Sequence, residues 1–255
     1  VGAAHLDEVL AILADTMGNC SLDEAEFERE RNTVLQEMNI WLDGPWGELE
    51  KEIDRTLYQE CRYRHPVLGW KEDVEKLTRD RMAAFYRRHY GPQNASLVVV
   101  GDIAPAEVFA KAEKFFGTIP AGGLTAQGVA MDPPQKEPKF VELKTGSATD
   151  RFTMAFRADR AGSESDLALD VLATLLGDGK TSRLRARLVD REDLAGEDGV
   201  TVSNYSRKHE GVFTVQVELA LEAAPHKARE AVVEELDALK AKPVGERELR
   251  RAKNI

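Results

Sequence analysis

FERERNTVLQEMNIWL, residues 27–42, carries two carboxylates, Glu30 and Glu37, seven positions apart in a segment of helical periodicity. Seven positions are almost two helical turns, so the acids differ by only about 20° around the axis and stand about 10 Å apart along it. Phe27, Val34, Met38 and Trp41 form the neighbouring apolar stripe. Arg31 falls inside that apolar arc, where a cation is tolerated beside an acid or with its head group snorkelled to water. Glutamate is a strong helix former and 31% of the chain is charged, so the pair taken alone also fits a solvated face.

Working outward, residues 5–17 predict a helix with Leu6, Val9, Leu10 and Leu13 on one face, stopped by Gly18 and Asn19. Ser21, with Glu24 three positions on, predicts a capping box at the start of the helix that carries the acid pair. Asp43, Gly44 and Pro45 end it. Residues 47–59 predict another helix, followed by an irregular loop holding Cys61, Arg62, Tyr63, Arg64, His65 and Pro66. Thr78 caps a helix over 79–90. Residues 97–100, Leu-Val-Val-Val, predict a central strand covered on both faces, and Pro105 opens a helix to Phe116. Residues 117–138, rich in Gly and Pro, lack periodicity.

Beyond them, residues 140–144 and 151–157 predict strands, and 166–176 and 182–189 helices. Residues 200–205 and 212–221 predict a hairpin, since Phe213, Val215, Val217 and Leu219 alternate with Thr214, Gln216 and Glu218. Helices over 225–241 and from 246 onward complete the chain. HLDEVLAILADTM followed by DEAEFERERNTVL recurs in shape as HKAREAVVEELDALK followed by GERELRRAKNI. This internal repeat predicts two related domains, 1–120 and 139–255, joined by a linker at 121–138. The expected fold is α+β, each domain an antiparallel or mixed sheet packed with helices. The duplication also predicts roughly 80–100 residues upstream of Val1, counterparts of residues 140–221.

With 35 basic against 45 acidic residues the formal charge is −10, which disfavours nucleic acid and anionic membrane as partners. No apolar run approaches the length of a membrane span. Two cysteines, Cys20 and Cys61, are too few for a disulfide framework and are expected as separate thiols. The histidines lack metal-type spacing, and His89 is expected to suit the end of a basic helix. Gly179, Lys180 and Thr181 have the tail of a phosphate-binding loop, but Thr174 stands where its first glycine is required. Phe85, Tyr86 and Tyr90 read as packing residues at helical spacing.

FERERNTVLQEMN, HPVLGWKEDVEKLTRDRMAAFYRRHYGPQNASLVVVGDI, KFFGTIP, and GDGKTSRLRARLVDREDLA followed by the hairpin together resemble the insulinase/pitrilysin family of zinc peptidases. The similarity is to the bacterial and mitochondrial-processing-peptidase type with paired domains. In that family two histidines of an inverted H-x-x-E-H motif and a glutamate on a later helix hold zinc, and the motif's own glutamate acts as general base. The resemblance implies that Glu37 is the third zinc ligand, that Glu30 is the supporting acid, and that Arg31 is the basic residue following it. No H-x-x-E-H occurs in the 255 residues. Zinc is therefore expected in the full-length protein and not in this chain, which is expected to be inactive alone. Cys61 and Arg62 depart from the His-Pro that members often place before the aromatic matched by Tyr63.

The implied function is a zinc-dependent endopeptidase acting on a peptide or small protein that adds as an extra strand to a sheet edge. A homo- or hetero-oligomer with a related subunit is implied. The alternative is a noncatalytic partner or scaffold subunit of a processing-peptidase-like complex. The compartment stays open between bacterial periplasm and cytoplasm.

Overall fold

The computed structural model describes residues 2–123 and 128–255. It is α+β, and its elements fall into two compact units that interleave along the chain. One unit is Val1–Trp41 with His65–Ala130; the other is Leu42–Arg64 with Met131–Ile255.

The first unit is helical among the described residues, comprising α1 (Leu6–Gly18), α2 (Glu24–Asp43, which continues into the second unit from Leu42), α4 (Lys71–Glu75), α5 (Arg79–His89) and α6 (Pro105–Phe116). α1 packs on α6, and Lys111 and Lys114 of α6 both reach the Asp7 carboxylate. The Tyr86 hydroxyl lies 2.7 Å from the Thr16 carbonyl and 2.5 Å from that of Met17, covering acceptors that the end of α1 leaves open. Thr78 caps α5 as expected, its hydroxyl accepting from the Arg81 N–H.

The expected capping box at Ser21 is replaced. Asp23 caps α2, its Oδ1 accepting from Ala25 N at 3.0 Å and Glu26 N at 3.2 Å. Leu22 at φ +46° turns the chain between them, and Arg79 holds the Ser21 and Leu22 carbonyls. Residues 97–100 are not a strand. Val98 and Val100 are 80% and 93% exposed, and no described strand runs beside them to complete a hydrogen-bonded ladder. Residues 140–144, also expected as a strand, form none, for the same reason.

The second unit holds α3 (Gly47–Leu57), β1 (Arg151–Ala158), α7 (Glu164–Gly177), α8 (Arg183–Leu188), β2 (Ala195–Tyr205), β3 (Gly211–Leu219), α9 (Pro225–Ala241) and α10 (Glu246–Lys253). The strands form an antiparallel sheet in the order β1-β3-β2, with Met154 opposite Val215 and Tyr205 opposite Val212. Phe213, Val215, Val217 and Leu219 pack with Leu176, Leu184, Leu188 and Val232 into the core. The alternation correctly reads this as the core face, but the opposite face is also covered: Thr214 and Gln216 are buried too. Arg151 and Arg157, which share that face by register, reach the Trp46 and Tyr58 rings flanking α3, and α3 packs on β1. Residues 42–64, expected in a contiguous first domain, are thus the cover of the second unit's sheet.

Candidate functional site

α2 is helical because its sequence runs through good helix formers between the Asp23 cap and the Gly44-Pro45 turn. Its apolar stripe buries only Phe27 and Met38 fully. Arg31 is accommodated as its position in that arc requires. Its Nη2 donates to Glu28 Oε2 at 2.6 Å and its Nη1 to the Leu77 carbonyl at 2.9 Å, while the guanidinium lies 5.8 Å from the Phe27 ring centroid. Glu26 pairs with Arg29 in the same way. Glu30 and Glu37 are both exposed, and neither has a cation partner among the described residues.

A catalytic zinc takes three protein ligands. Among the described residues no group of three histidine, cysteine, aspartate or glutamate side chains could hold a metal ion. The residues of this chain by themselves do not fit the metal; Glu37 offers one carboxylate. Of the first unit's histidines, His5 Nδ1 lies 3.1 Å from Glu8 Oε2, His65 Nδ1 accepts from Trp70 Nε1 at 2.9 Å, and His89 stacks on Phe85 with centroids 4.1 Å apart. Cys20 is an exposed and Cys61 a buried free thiol.

A second constellation, in the second unit, escapes a motif search. Asp132 sits inside the stretch expected to be a linker, yet it is 9% exposed. Its Oδ1 accepts from Gln59 N at 2.8 Å and Glu60 N at 3.1 Å, and its Oδ2 from Cys61 N at 2.9 Å. Burial opposes its charge, but these three amides and the Arg157 guanidinium prevail and hold the carboxyl below the usual range. Arg157 grips the same loop from outside, donating to the carbonyls of Asp132 at 2.8 Å and Pro133 at 2.6 Å while pairing with Glu210 at 2.5 Å. Arg207 forms a two-pronged bridge to Asp54 at 3.0 and 2.8 Å and lies 5.0 Å from the Tyr63 ring centroid. Burial first, then the Glu210 charge, pushes the Tyr58 phenol far above its ordinary value, and its hydroxyl donates to the Gly211 carbonyl at 3.4 Å. The one sequence signal was an aspartate directly before two prolines in an aperiodic stretch, which is ordinary turn chemistry. Within the expected linker, residues 124–127 lie outside the described residues.

The family model for the peptidase M16 inactive domain matches residues 76–255. The zinc protease PqqE of Helicobacter pylori is 32% identical over 201 residues, which cover 76% of this chain and 45% of that protein. An uncharacterized zinc protease of Bacillus subtilis, YmxG, is 24% identical over 202 residues, 79% of this chain and 47% of its own length. The chain thus spans about half the length of these curated relatives. The crystal structure of a protease from Helicobacter pylori superposes with a TM-score of 0.82 at 29% identity, covering 99% of this chain and 62% of that one. That of a peptidase M16 inactive domain from Pseudomonas fluorescens gives 0.81 at 19% identity, with 99% and 60% coverage, a likeness of fold. The matched domain, the relatives and the superposed folds agree: the chain belongs to the peptidase M16 family.

Proposed function

We propose that these residues belong to a zinc-dependent endopeptidase in which Glu37 is a metal ligand, Glu30 supports it, and the histidine ligands come from residues outside 1–255. The carrying observation is a pair of exposed carboxylates on one face of α2, without cation partners among the described residues, in a chain whose relatives are named zinc proteases. An exposed, uncommitted carboxylate is free to turn toward a metal, whereas Glu26 and Glu28 are held by arginines. As duplicated sequence the two domains would be 1–120 and 139–255, as the repeat implies, although residues 42–64 of the first pack with the second unit; a peptide or small protein would be the substrate and a related subunit the oligomeric partner. This chain alone supplies one ligand and is inactive.

The second reading, a noncatalytic partner subunit, is favoured by the matched model, which describes an inactive domain. Turnover of quenched fluorescent peptides by the full-length protein separates the two. The peptidase reading expects hydrolysis that is lost in Glu37→Gln; no hydrolysis by a metal-loaded wild-type protein supports the partner subunit, and full activity in the variant removes Glu37 from the site.

A further inference from the structure

We propose that the outer face of α5 is a docking stripe for an acidic polypeptide segment, with Arg81 and Arg88 as its charged contacts and Phe85 as the apolar contact between them. Arg81 and Arg88 stand seven positions apart on one helix, about 20° apart around its axis and about 10 Å apart along it. Phe85 falls between them on the same arc, while Ala83, the buried residue of α5, lies on the opposite side. Phe85 is 53% exposed, and His89 stacked against it holds the ring at the surface. The first unit commits its other arginines. Arg29 pairs with Glu26, Arg31 with Glu28 and the Leu77 carbonyl, and Arg79 holds the Ser21 and Leu22 carbonyls. The guanidinium groups of Arg81, Arg87 and Arg88 are exposed with no acceptor among the described residues, and Asp80, the only acid of α5, lies against Arg79. Free guanidinium groups beside an exposed aromatic ring lack carboxylates, which a planar guanidinium holds by two parallel bonds. A helical segment with two acids seven positions apart and an apolar residue between them matches the stripe side chain for side chain. The chain's formal charge of −10 does not prevent this, because screening at physiological ionic strength acts over about 8 Å and a segment lying on the stripe feels chiefly these arginines. Nucleic acid fits less well, since its affinity grows with the number of phosphates neutralised and the stripe offers few cations.

This goes beyond the peptidase reading and does not depend on it. The test is fluorescence anisotropy of a labelled helical peptide, with a leucine between two glutamates seven positions apart, titrated with the full-length protein in EDTA so that the probe is not hydrolysed. Binding should weaken with added salt and fall about tenfold in Arg81→Glu/Arg88→Glu, where two attractive pairs become repulsive ones. Phe85→Ala should weaken it as well. Arg247→Glu/Arg250→Glu, the same change of charge on exposed arginines of α10, should leave it unaltered. Absence of binding would overturn the inference, as would an affinity unmoved by the α5 substitutions or lowered equally by those on α10. Tighter binding of a single-stranded oligonucleotide of equal charge through the same arginines would also overturn it. The assay runs without metal, so failure of the peptidase reading leaves it unchanged and the two failures are distinguishable.

Discussion

Replacing Asp132 by Asn isolates one charge at a buried junction. The carboxylate accepts from Gln59, Glu60 and Cys61, and its charge faces Arg157. An amide oxygen can keep one or two of these bonds, while the new amide nitrogen faces an N–H and leaves that donor unpaired. Hydrogen bonds to a charged group are worth about 1.5–3 kcal/mol and an unpaired buried donor costs about 1–3 kcal/mol, which together imply a loss of about 2–4 kcal/mol near neutral pH. The pH dependence has a definite sign. A carboxyl held below its usual range in the folded state contributes stability that is complete above the unfolded value of about 4, and that contribution disappears as pH falls through the folded value. Urea unfolding followed by circular dichroism, for both proteins from pH 7 to pH 3, gives the difference directly; other carboxylates titrate in both and cancel. A gap that stays constant across that range, or one below about 0.5 kcal/mol at pH 7, refutes the hold of the Asp132 charge on the 59–61 amides.

Asp23→Ala should cost about 1 kcal/mol in chemical unfolding and Ser21→Ala almost nothing, because Asp23 and not Ser21 receives the α2 amides. Equal losses would restore the capping box. Thr214 Oγ1, on the second unit's sheet, is buried with no partner among the described residues, so Thr214→Val should leave the thermal midpoint unchanged or higher, whereas a large drop would reveal an unrecognised bond.

Periodicity was enough to read the helices over 79–89 and 105–116 and the core face of β3, because each depends on neighbours close in sequence or on a pattern of period two. Residues 97–100 show the opposite case. Their β-branched composition is strand-like, but a strand exists only with a partner, and no described strand accompanies them. The placement of α3 was equally hidden, since a helix pattern does not say which sheet it covers. Asp54 with Arg207 and Asp132 with the 59–61 amides are pairings more than 70 residues apart, formed by tertiary packing alone. For the site, spacing put Glu30 and Glu37 on one helix face, and the structure leaves both exposed on α2. Their chemistry came from family resemblance, because the charge pattern of a solvated helix is the same.

The most direct measurement of the central claim is the zinc content of the full-length protein after exhaustive dialysis, for wild type, Glu30→Gln and Glu37→Gln. The account predicts one zinc per wild-type chain, near-complete loss in Glu37→Gln and weakened retention in Glu30→Gln. One zinc per chain retained in Glu37→Gln, at wild-type affinity, would contradict it.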